Sequence, residues 1–326
     1  MSANHAGSKS RAKEIIHAAK EAGADCIKIQ TYTPDTMTID CDNKYFQITD
    51  GAWKGENLYK LYAKAYTPWE WQAELKEEAE KIDIDFLSTP FDKTAVDFLE
   101  SIEVEFYKIA SFELVDIPLI KYVASKGKPI IMSTGMGTLG EIEDAVNAIR
   151  GQGNNQIALL KCSSAYPAIP DDMNLKTMVN MAETFGVPVG LSDHSMGSLG
   201  ATTAVAMGAQ IIEKHFCMSR DIENPDASFS MNVKEFTDMV SDIRMVEKAI
   251  GQVKYGATSQ DLHNVDYRRS IFAVKDIKQG ELLTEENIRA IRPGFGLAPK
   301  FYEEVLNNRA RLDIKKGTPL SFKIIE

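Results

Sequence analysis

Over its first 251 residues this chain alternates short apolar runs with amphipathic stretches, and that rhythm restricts it to few folds. The runs are Asp25–Thr31, Ile84–Pro90, Glu105–Ser111, Pro129–Thr134, Ile157–Ser163, Val187–His194 and Ala209–Phe216. They are rich in Ile, Val and Leu, as strands covered on both faces are. The stretches Ser8–Glu21, Pro68–Lys81, Thr94–Ser101, Pro118–Ser125, Leu139–Arg150, Met173–Phe185, Ser198–Met207 and Lys234–Ile250 carry apolar residues at helical spacing. Gly127, Gly151, Gly186 and Gly208 stand where a left-handed glycine ends a helix. Alternation of this kind predicts a parallel sheet with crossover helices. The helices outnumber the strands by one, and the unmatched helix comes first. Two architectures fit: an open doubly wound sheet of seven strands, or a TIM (β/α)8 barrel lacking its first strand. The span to Gly251 suits a barrel of about 250 residues. Met1–Gly7 then reads as the loop after the absent strand.

The pattern changes after Gly251. Residues 252–267 are polar and irregular, as a linker is. Residues 268–326 form a small separate unit with an internal echo. Asp276-Ile-Lys-Gln-Gly-Glu-Leu-Leu283 recurs as Asp313-Ile-Lys-Lys-Gly-Thr-Pro-Leu320, each reading as strand, glycine turn and strand.

Charge and cysteine usage limit the function classes. A net charge of -10 over 326 residues argues against nucleic acid as the main partner. A local lysine cluster can still hold a small anion. No apolar stretch is long enough to span a membrane, and the opening residues lack the pattern expected of a signal peptide. Cys26, Cys41, Cys162 and Cys217 show no CxxC spacing. Cys26, Cys162 and Cys217 lie in or beside apolar runs and read as buried free thiols, which suits a reducing cytoplasm.

The strand ends are polar. In a barrel the active site lies at the C-terminal ends of the strands. Those positions carry Lys28 and Gln30, Ser88 and Thr89, Lys108 and Ser111, Ser133 and Thr134, Lys161 and Ser164, Ser192 and His194, then Glu213 and His215. Residues two apart on a strand share a face, so Lys28 joins Gln30, Ser192 joins His194, and Glu213 joins His215. Hydroxyls and lysines around one rim can cradle a phosphate or carboxylate. Two imidazoles at the ends of consecutive strands converge on one point and suit a metal ion. Two histidines do not close a structural site, so the remaining positions belong to water or substrate, as in Lewis-acid catalysis. His5, His17 and His263 lack strand context. The aromatic group Trp53, Tyr59, Tyr62, Tyr66, Trp69 and Trp71 reads as packing.

These residues stand in motifs that resemble the N-acetylneuraminate (sialic acid) synthase family. The motifs are Ser2-Ala-Asn-His-Ala-Gly7, Ile27-Lys-Ile-Gln-Thr-Tyr-Thr-Pro-Asp35, Ser88-Thr-Pro-Phe91, Tyr107-Lys-Ile-Ala-Ser-Phe-Glu113, Ser133-Thr-Gly-Met136, Gly190-Leu-Ser-Asp-His194 and Glu213-Lys-His-Phe216. Arg292-Pro-Gly-Phe-Gly296 falls in a segment similar to the family's antifreeze-like (SAF, β-clip) domain. The resemblance implies a transferase that condenses phosphoenolpyruvate with an open-chain N-acylated amino sugar, cleaving the C–O bond and releasing phosphate. It implies that His194 and His215 hold a divalent metal (Mn2+, Mg2+ or Co2+). Lys28, Thr89, Lys108, Ser111, Ser164 and Ser192 would bind phosphoenolpyruvate. Gln30, Tyr166 and Asp226 would position the sugar, with Glu113, Glu213 and Tyr166 close to the reacting groups. Arg292 would reach the N-acyl group in a second subunit, because family members are domain-swapped homodimers. Ser164 in place of Asn, together with Tyr32-Thr-Pro-Asp35, resembles the pseudaminic branch, which uses a 2,4-diacetamido-2,4,6-trideoxy sugar. The neuraminate and legionaminic branches are the nearest alternatives. Remoter ones are a Schiff-base aldolase using Lys161 and an inactive sugar- or metal-binding remnant. Family members carry a Glu at the end of the first strand. Here Met1 stands just after its place, so the expectation is an internal methionine in a longer protein.

Overall fold

The structure, a computed structural model, describes residues 1–326 in two compact units, Met1–Gly251 and Gln252–Glu326. The first unit is a seven-stranded parallel sheet whose spatial order follows the sequence. Its strands are β1 (Cys26–Thr31), β2 (Asp85–Pro90), β3 (Tyr107–Ile109), β4 (Ile130–Ser133), β5 (Ile157–Cys162), β6 (Val189–Asp193) and β7 (Ile211–Lys214). Each is the core of one predicted run, shortened at the ends where the backbone turns into a loop. The doubly wound alternative fails on strand order. Such a sheet reverses direction at a switch point, whereas here every strand pairs with its sequence neighbours. The result is a curled half-barrel in which β1 and β7 have no mutual backbone hydrogen bonds.

Helices cover the outer face. Lys9–Glu21 starts at Ser8, whose side chain accepts from the Arg11 amide, and buries Ala12, Ile15, Ile16 and Ala19. Leu139–Arg150 begins with a Thr138/Glu141 capping box, and Val233–Ile250 with an Asn232/Glu235 box. The outward residues Ile27, Ile29, Ile109, Ile130, Met132, Leu159 and Leu191 pack with these helices in one core. Burial of each such side chain contributes about 1.5–3 kcal/mol.

Several expectations are corrected. Gly127, Gly186 and Gly208 have positive φ, but Gly151 is right-handed and the left-handed residue is Gly153 two positions on. The stretch Met173–Phe185 is two helices, Pro170–Met173 and Lys176–Phe185, broken by left-handed Asn174. Ser2–His5 is a 3-10 turn rather than an open loop. Leu58–Ala65 is a further helix, hidden in the sequence by its aromatic residues. Between β1 and β7 runs a groove of about 320 Å³, lined in part by Cys26, Ile211, Phe236 and Ile243. Cys26 is therefore only half buried.

The second unit has its own core of Ile271, Ile277, Leu283, Ile288, Val305 and Ile314. Its regular strands are β8 (Ser270–Ala273) and β9 (Ile288–Ile291), paired antiparallel. The echoed segments meet through an Ile277–Ile314 bridge rather than as full strands. Their aspartates act reciprocally. Asp276 accepts from the Lys316 amide at 2.8 Å and Lys315 Nζ at 3.0 Å, while Asp313 accepts from the Gln279 amide at 2.9 Å and Lys278 Nζ at 3.1 Å. Gly280 and Gly317 both adopt the positive φ that closes these turns. No helix in either unit is long and apolar enough to cross a membrane.

Candidate active site

Strand alternation sorts the polar strand ends into two groups. Ser88 turns outward and bonds Thr31 Oγ1 at 2.6 Å, and Thr31 in turn donates to Gln72. Thr134 also turns outward, donating to the Leu160 carbonyl at 3.1 Å and contacting Met181. Lys161 lies on the face opposite Cys162, and its Nζ donates to the Cys162 carbonyl at 2.9 Å. Its amine points away from the sheet interior, which removes the geometric basis of a Schiff-base nucleophile there. Lys28, Gln30, Lys108, Ser133, Ser192, Glu213, His194 and His215 make the contacts of the inner mouth described below.

Glu213 is the centre of that mouth. Its Oε1 lies 2.8 Å from Lys28 Nζ and accepts from Ser192 Oγ at 2.9 Å, and its Oε2 lies 3.8 Å from Lys108 Nζ. Burial alone would push this carboxyl up. The two ammonium groups and the bonds from Lys28 and Ser192 outweigh burial and hold it well below the usual carboxylate range. Lys108 is fully buried and donates to Ser133 Oγ at 2.6 Å and the Ile109 carbonyl at 3.0 Å. Burial, only partly opposed by Glu213, brings its amine down to about 8. Lys28 reaches Glu213 across the gap between β1 and β7, where no backbone pairing joins the strands. Gln30 accepts from Ser2 Oγ at 3.0 Å on the same wall.

Ser111 and Ser164 close on Gly135. Ser111 Oγ accepts from the Gly135 amide at 3.1 Å. A Cβ at Gly135 would lie 2.2 Å from Ser164 Oγ and 2.8 Å from Ser111 Oγ, so only glycine fits between the two hydroxyls. A backbone N–H beside two hydroxyls is an anion cradle. Thr89 Oγ1 is buried without a hydrogen-bond partner, as is Glu113 Oε2. Burial raises the Glu113 carboxyl to about 7.

The two histidine rings lie 5.3 Å apart, centroid to centroid. His194 Nδ1 lies 2.9 Å from the Ser163 carbonyl. A carbonyl only accepts, so Nδ1 carries a hydrogen, and Nε2 is the ring nitrogen left to face a ligand. Burial first, then His194 and Lys28, hold His215 well below the usual imidazole range, so it is neutral. Its Nδ1 is buried without a partner and stands 3.9 Å from Asp226 Oδ2. A neutral ring with an orphaned nitrogen, beside a ring whose tautomer is set by a backbone carbonyl, fits a metal ion. No third His, Cys, Asp or Glu completes a ligand cluster, so the pair is suited to an open site. Asp226 is buried, accepts from the Ala3 amide at 3.1 Å, and has its carboxyl raised by burial.

Three neighbours escaped the sequence reading. Cys162 Sγ lies 3.7 Å from His194 Nδ1 and 3.9 Å from Ser164 Oγ. Burial raises this thiol, but His194, Ser111 and Lys108 outweigh it and bring it to about 7. Its i−2 relation to Ser164 was the available signal. Trp53 leaves the aromatic group assigned to packing. Its ring lies 5.4 Å from Tyr166 and 6.0 Å from Phe229, and its Nε1 donates to the Pro225 carbonyl at 2.8 Å. Trp69 packs on Phe98 and Trp71 on His5, as expected of core aromatics. Tyr166 stacks 4.3 Å from His194. Phe229, 5.1 Å from the His215 ring, had no signal in the sequence. His5 is structural, bonding Thr67 Oγ1 at 3.3 Å. Arg292 belongs to the second unit and immediately follows β9.

Residues 15–255 match the model of the NeuB family, and residues 268–326 match that of the SAF domain. The chain is 47% identical to pseudaminic acid synthase from Helicobacter pylori, over 100% of this chain and 96% of that protein. It is 36% identical to N,N'-diacetyllegionaminic acid synthase from Legionella pneumophila, over 99% and 92%. Among solved structures it is similar to an N-acetylneuraminic acid synthetase from Leptospira borgpetersenii, with a TM-score of 0.71 and 31% identity over 80% of this chain and 87% of that one.

Proposed function

This chain belongs to the NeuB family, and we propose that it condenses phosphoenolpyruvate with an open-chain 2,4-diacetamido-2,4,6-trideoxy hexose to give pseudaminic acid and phosphate. The reaction is of the transferase type. The observation that carries the reading is one mouth that joins two lysines about a carboxylate, a two-hydroxyl cradle and two adjacent imidazoles. Phosphoenolpyruvate is a polyanion and the sugar aldehyde an electrophile, and these groups suit one each. Lys28 and Lys108 bind the anion, with Ser111, Ser164, Thr89 and Ser192 as hydrogen-bond partners. Glu213 orients both ammonium groups. Glu113, with its carboxyl at about 7, can hold or release a proton near neutral pH. Gln30, Tyr166 and Asp226 position the sugar. His194 and His215 hold a divalent metal, which when bound supplies Lewis acidity toward the aldehyde oxygen.

We further read residues 1–251 as the synthase barrel, 252–267 as linker and 268–326 as the SAF domain. The working form is a domain-swapped homodimer in which Arg292 contacts the N-acyl group in a second copy. Exposed Phe112, Val115, Met136, Ile169, Met196 and Leu199 on the loops and helix starts after β3 to β6 support self-association. Four unpaired cysteines support a reducing cytoplasm.

A phosphate-release assay across diacetamido and mono-acetamido sugars tests this. The diacetamido trideoxy sugar should turn over fastest, with loss of activity in chelator. Faster turnover of a mono-acetamido sugar would move the chain to the neuraminate branch, and no sugar-dependent release would overturn the reading. His194→Ala and His215→Ala should each abolish metal-dependent activity, and full retention in both would remove the metal assignment.

A further inference from the structure

Beneath the two histidines, on the outer face of the sheet, lies an ion pair that the chemistry above does not use. Asp193 and Lys214 are partners in the β6–β7 register, one rung above Ser192 and Glu213. Lys214 Nζ lies 2.9 Å from Asp193 Oδ2, and both side chains are almost wholly buried, at 2% and 0% exposure. Lys214 also donates to the Ser195 carbonyl at 2.5 Å and reaches the Gly197 carbonyl at 3.3 Å. Asp193 Oδ1 accepts from the Ser195 amide at 2.8 Å. Gly200 lets the next helix close over the pair. A Cβ there would lie 3.0 Å from Asp193 Oδ2 and 2.4 Å from Met173 Cε.

His194 directly follows Asp193, and His215 directly follows Lys214. We propose that the Asp193–Lys214 pair is a positioning device: by tying the last rung of β6 and β7 to the 195–197 backbone, it sets the separation and orientation of the two imidazoles. Stability alone is a poor account of it. A buried ion pair costs desolvation, and a well-packed apolar pair of similar volume often serves the fold equally well. What apolar packing cannot supply is directional attachment of the loop backbone at three points. Metal sites and catalytic pairs depend on such support, because misplacement by about 1 Å already costs function.

The inference rests on the metal reading of His194 and His215, so the test separates the two. Asp193→Leu/Lys214→Met removes both charges together and leaves neither unpaired. Thermal melting should stay near wild type. Mn2+ binding, measured by calorimetry with the metal alone, should weaken about 10-fold or more, and kcat should fall about 10–100-fold. KM for phosphoenolpyruvate should stay within about two-fold, since Lys28 and Lys108 are untouched. Wild-type Mn2+ affinity and kcat in the folded double variant would overturn the proposal. If that variant does not fold, Asp193→Asn/Lys214→Gln is read by the same criteria. His194→Ala is the control. If it retains wild-type Mn2+ affinity, the metal reading falls and the positioning claim is decided on kcat alone.

Discussion

Strands β2 to β6 hydrogen-bond a neighbour on both edges, whereas β1 and β7 pair on one edge each and face one another across a groove. The polar groups at the mouth differ in the same way. On the paired side they are mostly neutral: Ser111, Ser133 and Ser164, with Lys108 as the one cation and Glu113 held near neutrality. At the seam they are ionised, with Lys28 on β1 and Glu213 on β7 joined at 2.8 Å. Backbone pairing holds β3 to β5 together without an ion pair between adjacent strands at the mouth, and Lys108 reaches across the interior to Glu213 at 3.8 Å. At the seam the same charges that suit the substrate also bridge two strands that nothing else pairs.

The largest expected effect is at the seam. Glu213→Gln leaves Lys28 and Lys108 facing each other without their counter-ion. It should lower kcat/KM for phosphoenolpyruvate about 10²–10³-fold and also lower the melting temperature, because one partner of a buried charge cluster is lost. Steady-state phosphate release and calorimetry check this together. A loss of activity with no change in melting would show that the charges do not bridge the strands.

Glu113→Gln probes the paired side through pH. The folded-state carboxyl lies at about 7, above its ordinary value of 4.5. The native state therefore binds more protons than the unfolded chain between these values, and wild-type stability falls as pH rises through them. The stabilising contribution of the protonated group is full below about 4.5 and lost above about 7. The variant should match wild type near pH 4 and exceed it by at most about 2–3 kcal/mol near pH 8. Denaturant titrations at the two pH values measure it, and parallel pH profiles would show that Glu113 is ionised at neutrality.

Gly135→Ala fills the cradle. With Ser164 Oγ only 2.2 Å from the added methyl, one hydroxyl must move. KM for phosphoenolpyruvate should rise about 10-fold, equivalent to about 1.4 kcal/mol, with a smaller change in kcat. An unchanged KM would place the anion elsewhere in the mouth. The smallest effect is dynamic. Amides of β1 and β7 should exchange with deuterium several-fold faster than those of β3 to β5, because an edge opens at lower cost than a strand paired on both sides. Equal protection would mean the side-chain bridge holds the seam as firmly as backbone pairing holds the rest.

Much of this molecule was legible in one dimension. Strand burial imposes runs of Ile, Val and Leu, and helix burial imposes a different period, so the seven strands follow from local pattern, while their spatial order came only from the folded sheet. Alternation also assigned Lys28 with Gln30, Ser192 with His194, and Glu213 with His215 to common faces. Parity within a strand does not say which face is inside. That is why Ser88, Thr134 and Lys161 looked like rim residues and proved to point outward. Nor does pattern register a close approach between distant segments. Only folding brought Ser164 and Ser111 onto Gly135, Trp53 onto Tyr166, and Lys28 to Glu213. Local pattern set the elements and the chemical character of their ends, because burial acts on each element separately. Which of those ends meet emerged only on folding, because convergence depends on the curl of the sheet and the packing of loops that no local period records.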